Sequence, residues 1–152
     1  MGIFTEREGW QEPIIQFSVY ADNKVGRLNE LIGALTHREL HILAFTVIDT
    51  TDSAIIRMVC DYHSEARDIL KQKGFAFNEV EVFAVEVSQL SDVHKVTCAL
   101  VQAEVNVHYI YPFIGRANGS SAFVLRMEDN DIATSILKTS GIKVLSRNDL
   151  TR

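Results

Sequence analysis

The sequence lacks the features that mark exported and membrane proteins. It has only two cysteines, Cys60 and Cys98, among 152 residues. No apolar run approaches the roughly 20 residues that span a bilayer, and the first ten residues, MGIFTEREGW, lack the basic and apolar segments of a secretory signal. We therefore expect a cytoplasmic protein with no membrane segment, whose two cysteines are buried or idle thiols.

The charge balance is also unlike that of a nucleic-acid-binding domain. The net charge is −5, and the lysines and arginines are scattered along the chain. A broad phosphate-binding surface needs clustered cations, so we expect no nucleic-acid partner. The hydrophobic content of 47% and the charged content of 23% are ordinary for a folded globular protein.

The most informative pattern is that the chain resembles itself. Segment 55–60 (IIRMVC) matches 123–129 (FVLRMED), which places Arg57 opposite Arg126 at an offset of 69. Segment 69–75 (ILKQKGF) matches 136–142 (ILKTSGI) at an offset of 67, and 31–42 matches 96–107 at an offset of 65. Three matches in the same order indicate an internal duplication of about 67 residues.

Both copies show the same order of predicted elements. In the first copy, residues 14–21 alternate as in a strand with one buried face, and apolar residues from Val25 to Leu35 recur at helical spacing. A hairpin follows (41–49 and 53–60), then a helix (65–73) and a strand (75–81). The second copy repeats the order as a strand (82–87), a helix around 93–100, two strands (106–115 and 121–127) flanking Asn118–Gly119, a helix (132–140) and a strand (142–148).

This order predicts an α+β protein made of two tandem ferredoxin-like βαββαβ domains. We place an N-terminal extension at 1–12, the first domain at 13–81 and the second at 82–150. Each domain is expected to form an antiparallel sheet with two helices on one face. The other face of so small a sheet needs cover, which pairing of the two copies and then of two chains would supply.

The first strand leads into ADNKVGRLNEL (21–31), and this loop, with the doubled topology, resembles the ACT domains of amino-acid-regulated enzymes. Asp22, Asn23, Gly26 and Leu28 match the family pattern of a polar residue, a turn ending in glycine and an apolar helix opening. The resemblance implies that a small effector, often an amino acid, binds at this loop where two ACT units meet. It implies no catalytic residue, cofactor or metal, and a ligand-binding set consisting of Asp22, Asn23, Lys24, Val25, Gly26, Arg27 and Leu28.

Physical chemistry supports the same loop independently of the family. A helix N-terminus offers unpaired N–H groups and a dipole that favours a carboxylate, and Gly26 allows close backbone approach. Asp22 or Asn23 can hold an ammonium group, or these residues simply cap the helix and Gly26 simply turns the chain. In the second copy Ser91 replaces Gly26, so we expect one binding loop per chain. Both copies have a glutamate, Glu39 or Glu104, where the family has a glycine, which predicts strain at the helix ends.

Other residue patterns are weaker. The histidines of HRELH (37–41) are four residues apart but do not follow the order of a metalloprotease motif, so we interpret them as surface residues at a helix end. His94 and Cys98 lack an orienting third group, and a helix-packing role for Cys98 is simpler. The aromatic residues Tyr109, Tyr111 and Phe113 are expected to pack on a strand face or in a dimer contact. Arg57 and Arg126 recur at one place, facing either solvent or an inter-domain partner.

Two classes of function follow, together with a third alternative. The leading hypothesis is a stand-alone regulatory module, not an enzyme, that acts as a homodimer. It binds a small-molecule effector, an amino acid, and signals to a partner protein that is a regulated enzyme or a regulator. The alternative is a small enzyme on the same fold that uses His94 and Cys98 or the tyrosines, since the fold hosts many functions. The third is an assembly domain without a ligand.

Overall fold

The computed structural model describes residues 12–22, 24–89, 91–115 and 120–150. The described elements, in chain order, are β1 (Ile14–Asp22), α1 (Arg27–Thr36), β2 (Ile42–Asp49), β3 (Ser53–Cys60), α2 (His63–Gln72), β4 (Ala76–Val87), α3 (Ser91–Gln102), β5 (Val107–Pro112), β6 (Ser121–Met127), α4 (Asn130–Thr139), β7 (Lys143–Leu145) and α5 (Arg147–Leu150). The chain is therefore an α+β protein with the predicted βαββαβ order occurring twice. The predicted Asn118–Gly119 turn lies outside the described residues.

All strand pairs are antiparallel, and the strands follow the order β2-β3-β1-β4-β6-β5, with β7 also paired to β4. The first part of β4 pairs with β1 through Val82↔Ile14, and its last part pairs with β6 and β7. One strand thus closes the first unit and opens the second. Two separate strands, 75–81 and 82–87, were predicted here, and that prediction is wrong. No turn-favouring residue lies between 79 and 87, so the strand continues through the predicted boundary.

Each unit has its own core between its helices and one face of its strands. In the first unit, Phe17 and Val19 of β1 are fully buried against Leu31 and Leu35 of α1. In the second, Val85 and Leu125 pack against Leu100 of α3 and Leu137 of α4. The three- and four-residue spacing that predicted the helices is the spacing that places these side chains on one face.

The opposite faces of the two sheets pack on each other, and we call this contact the seam. Its buried residues come from both units: Ile14, Ala44, Val59, Val82, Ala84, Tyr111, Ala122, Val124, Leu145 and Leu150. The sheet curls far enough for β2 to approach the end of β5, where Ile114 N–H donates to the Leu43 carbonyl at 2.7 Å. The expected cover for the second sheet face is therefore supplied within the chain.

The seam also contains a polar cluster that the strand pattern did not predict. Gln16 lies on the polar face of β1, yet it is 0% exposed. Its Nε2 donates to Ser18 Oγ (3.1 Å) and Tyr109 Oη (2.8 Å), and its Oε1 accepts from the Tyr111 hydroxyl at 2.6 Å. The alternation predicted one buried face, whereas both faces of β1 are buried, because the second unit supplies the cover expected for the other face.

The two repeated arginines both turn toward partners inside the protein. The Arg57 guanidinium lies 3.7 Å from the centroid of the Tyr109 ring, across the seam. Arg126 Nη1 donates to the Glu81 carbonyl at 3.2 Å. Of the two alternatives for this position, Arg57 follows the inter-domain one, because it stacks on an aromatic ring of the other unit.

The C-terminal ends of α1 and α3 confirm one expectation from the sequence. Glu39 and Glu104 have φ values of 62° and 56°, in the left-handed region that non-glycine residues rarely adopt. The predicted helix-end strain is thus present in both units.

The predicted closing strand 142–148 is wrong in extent, since β7 covers only Lys143–Leu145. A short helix follows, and Asp149 accepts hydrogen bonds from Ser146 at its start.

Candidate functional site

The loop between β1 and α1 brings a glycine to the start of the helix. Gly26 precedes α1 with φ at +91°, and no side chain in the described part of the chain caps this end. The turn is closed by Arg27 N–H, which donates to the Lys24 carbonyl at 3.3 Å. A Cβ added to Gly26 would meet nothing within 4 Å, so the space beside the helix N-terminus is open.

Arg27 adds a positive charge to this helix N-terminus. Its guanidinium lies 4.5 Å from the centroid of the Phe75 ring, and its Nη1 donates to Glu30 at 3.0 Å. Its Nε is buried and has no hydrogen-bond partner among the described residues. A cation at a helix N-terminus opposes the helix dipole. Arg27 thus keeps one unpaired N–H donor beside the helix N-terminus, while Glu30 pairs with its guanidinium.

The remaining predicted site residues lie on the outer side of the same loop. The Asp22 and Lys24 side chains are exposed and 3.7 Å apart. Val25 is fully exposed and Leu28 is 38% exposed. Asn23 lies outside the described residues. The loop therefore offers charged groups of both signs beside two apolar side chains.

The equivalent loop of the second unit has the equivalent backbone hydrogen bond but the opposite order of charges. Asp92 N–H donates to the Gln89 carbonyl at 3.0 Å, as Arg27 does to Lys24. Here the helix begins with Ser91, and the first-turn ion pair is Asp92–Lys95 at 3.3 Å. Burial raises the pKa of Asp92, but hydrogen bonds from Ser88 and Lys95 outweigh it and lower the pKa. An internal carboxylate already lies at this helix N-terminus.

A groove of about 300 Å³ lies beside the second loop, which the sequence reasoning left out as a site. Its charged lining residues are Glu86, Asp92, Lys95 and Lys143, and they pair as Asp92–Lys95 and as Lys143–Glu86, the latter at 3.5 Å. The signal was readable in the sequence, because an offset of 65 places Asp92 and Lys95 opposite Arg27 and Glu30. A ligand here would have to separate existing ion pairs.

The other candidate residues are not brought into a reactive arrangement. His94 and Cys98 line neither this groove nor the larger groove, described below, between the two units. Cys98 is exposed, so the packing interpretation is wrong. Burial raises the pKa of the Cys60 thiol to about 12, which disfavours the reactive thiolate.

The two histidines of HRELH (37–41) also have different surroundings. His41 Nδ1 lies 2.8 Å from Asp61 Oδ2, and His37 caps the end of α1. Within the described residues, no three His, Cys, Asp or Glu side chains form a group that could hold a metal ion. In the same part of the chain, no helix combines the length and apolar character needed to cross a bilayer.

Two βαββαβ units that share a strand, each with a turn into its first helix, define a paired ferredoxin-like protein. The family described as ACT domain pair matches residues 13–152. The chain belongs to this family. No curated protein matches the sequence.

Solved structures show the same fold. A protein from Bacteroides thetaiotaomicron is 25% identical, with a TM-score of 0.85, over 93% of this chain and 98% of that one. The ligand-free regulatory subunit of aspartate kinase from Thermus thermophilus is 12% identical, with a TM-score of 0.61, over 85% of this chain and 91% of that one. A structure of aspartokinase α and β subunits is 13% identical, with a TM-score of 0.56, over 84% and 91% of the two chains.

Proposed function

We propose that this protein is a non-catalytic regulatory module of the cytoplasm. It binds a free amino acid at the Gly26 loop and passes the signal to a partner protein. Membership of the ACT domain pair family supports a regulatory role. One observation carries the choice of site: the first helix has no described cap and carries Arg27 with an unpaired Nε, whereas the second has Asp92 in the equivalent place.

The chemistry of the loop suits a zwitterion. The ligand carboxylate lies against the N-terminal N–H groups of α1 and near the Arg27 Nε. The ligand ammonium group lies near Asp22, in competition with Lys24 at 3.7 Å. Charge-assisted hydrogen bonds at both ends of one small molecule give specificity for an α-amino acid over a simple acid or amine.

The second wall of the site is expected to come from another copy of the chain. Val25 and Leu28 expose apolar surface on an otherwise polar loop. The open space at Gly26 also leaves a bound ligand uncovered on one side. A homodimer that meets at this loop would bury both, and ligand binding would then stabilise one arrangement of the units.

A thermal-shift screen over the common amino acids tests the proposal. Stabilisation follows RT ln(1 + [L]/Kd), about 2.7 kcal/mol at a hundredfold excess over Kd. We expect one amino acid to raise the Tm of the natural protein but not that of Gly26→Val. Gly115→Val is the matched control, because Gly115 also has a positive φ (+57°) and open space. It should lose stability through the same strain yet keep the ligand-induced shift.

The screen also separates the alternatives. If no amino acid stabilises the natural protein, the site proposal is wrong and a ligand-free assembly domain is favoured. If Gly115→Val loses the ligand-induced shift together with Gly26→Val, the effect is one of folding and not of binding. Light scattering checks the assembly, for which we expect a dimer; a monomer of about 17 kDa would contradict the shared site.

A further inference from the structure

A second groove, larger than the one at the second loop, lies beside the seam, where no function has been placed. It has a volume of about 940 Å³ and runs along one face of α4. Its apolar floor includes Ile14 at the start of β1, Val82 and Phe83 in the middle of β4, and Leu145 of β7. Three of these, Ile14, Val82 and Leu145, belong to the buried seam. The shape of the groove therefore depends on how the two units pack.

Three of the unused polar groups of this groove are hydrogen-bond acceptors. The Glu81 and Asp131 carboxylates are exposed, and no hydrogen bond or ion pair of either is found in the described part of the chain. The Asn130 Oδ1 is buried without a partner. The third acid, Glu12, is already paired with Arg147 at 3.0 Å. An occupant that satisfies these acceptors must carry N–H donors and positive charge.

The groove also has a direction. Asp131 lies in the first turn of α4 and Lys138 in the last turn, and both line the groove. The face from Asn130 to Lys138 spans eight helical steps, about 12 Å at 1.5 Å per residue. About four residues of extended chain cover that length. An apolar floor with acceptors at one end and one cation at the other complements a short segment that alternates basic and apolar side chains.

We propose that this groove docks a short basic and apolar segment of the partner protein. The proposal rests on the proposed function for its meaning, because a groove whose walls come from both units reports their packing to whatever binds there. Charge complementarity selects the occupant. Three acidic residues and one lysine line the groove, and two of the acids, Glu81 and Asp131, have no described partner. Effector binding at the Gly26 loop would then change partner affinity by changing the seam.

Fluorescence anisotropy with the full chain tests the docking surface. The probe is a labelled hexapeptide that alternates arginine and leucine. Two matched peptides carry glutamate in place of arginine, or serine in place of leucine. We expect the arginine–leucine peptide to bind and both matched peptides to bind at least tenfold more weakly. Asp131→Lys should weaken the arginine–leucine peptide at least tenfold.

Asp52→Lys is the control for a general charge effect. It makes the same change on the exposed hairpin between β2 and β3. This hairpin lies beside Asp22, which is eight residues along β1 from Ile14 and therefore about 26 Å from it. Its effect should be less than twofold. The proposal is overturned if Asp52→Lys weakens binding as much as Asp131→Lys, or if the serine peptide binds as well as the leucine peptide.

Competition identifies other occupants. Displacement of the probe by an equal concentration of n-butylguanidinium would make this a small-cation site and overturn the proposal. Stronger displacement by a synthetic copy of residues 1–11 would assign the groove to the chain itself, and a changed oligomeric state in Asp131→Lys would assign it to a second copy. The amino-acid thermal shift of Asp131→Lys is measured in parallel. If it persists and the natural protein does not bind the arginine–leucine peptide, only the docking proposal falls.

Discussion

The two loops that open the first helix of each unit share a backbone hydrogen bond and differ in charge. In the first unit Arg27 and Glu30 form the first-turn pair, and in the second Asp92 and Lys95 occupy the same places in reverse order. The second order suits the helix dipole and the first opposes it. The duplicated scaffold thus has one loop whose first-turn charges suit the helix dipole and one loop whose charges oppose it.

The same difference appears in the hydrogen bonds around each loop. Asp92 accepts from Ser88 Oγ at 3.1 Å and pairs with Lys95, so its carboxylate needs no ligand. Arg27 keeps a buried Nε without a described partner. The groove of about 300 Å³ lies beside the loop whose charges are paired, so our proposal of the first loop follows the unpaired group and not the groove.

The largest expected difference between the two loops is their response to mutation. Asp22→Ala should lower the affinity for the amino acid found in the screen by roughly ten- to hundredfold, because it removes a charge-assisted hydrogen bond to the ligand's ammonium group. Ser91→Val should change the affinity much less. Calorimetric titration of both variants measures this. If Ser91→Val abolishes binding and Asp22→Ala does not, the effector binds the second loop.

The duplicated pattern made most of the fold predictable, and its failures have local causes. The predicted boundary at residue 81 of the shared strand β4 is wrong, since residues 79–87 contain no glycine, proline, asparagine, aspartate or serine that would signal a turn. The helix α5 is only four residues long, too short to show helical periodicity. Its start was nevertheless readable as a serine followed three residues later by an acid, Ser146 and Asp149.

The candidate site was predictable in position but not in the feature that now supports it. The sequence pointed to Gly26 and Asp22, and neither assignment is tested by the fold. The contact between Arg27 and Phe75 joins residues 48 positions apart, and no local pattern reports it. Gln16 was hidden for a similar reason, because alternation shows which face of a strand is polar but not that a second unit covers that face.

The seam offers a second comparison, between two tyrosines that contact the same glutamine. Tyr111→Phe should destabilise the protein by about 1–3 kcal/mol, because it leaves the fully buried Gln16 Oε1 without its described donor. Tyr109→Phe should cost less, since Gln16 Nε2 still donates to Ser18 at 3.1 Å. Urea unfolding gives both values. Equal losses would mean that the hydroxyl bonds do not set the energy of the seam.

The helix ends offer a case in which the two units should behave alike. Glu39→Gly and Glu104→Gly should each stabilise the protein by about 0.5–1 kcal/mol, because glycine adopts a positive φ without the steric cost that glutamate bears. This corresponds to a Tm increase of about 1–4 °C for a chain of this size. Glu65→Gly, inside α2, is the control and should lower the Tm. A different sign for the two units would show that the strain is not shared.

The smallest expected effect is a difference between the two units in the pH dependence of stability. His63 begins α2, and an offset of 67 places Asn130 at the start of α4. Burial lowers the pKa of His63 below its usual value near 6.5, and the charges of Arg147 and Arg67 lower it further, against Glu79 and Glu12. The unfolded chain therefore binds this proton more readily than the folded protein does. Stability due to neutral His63 is present above pH 6.5 and is lost as the pH falls below it.

His63→Asn gives the first unit the residue that the second already carries. We expect the free energy of unfolding of this variant to vary less between pH 7 and pH 5 than that of the natural protein. Arg147→Gln should flatten the dependence only in part, because burial remains and is the larger cause. Urea unfolding at several pH values measures the slope. An unchanged slope in His63→Asn would place the titrating group elsewhere and remove this difference between the units.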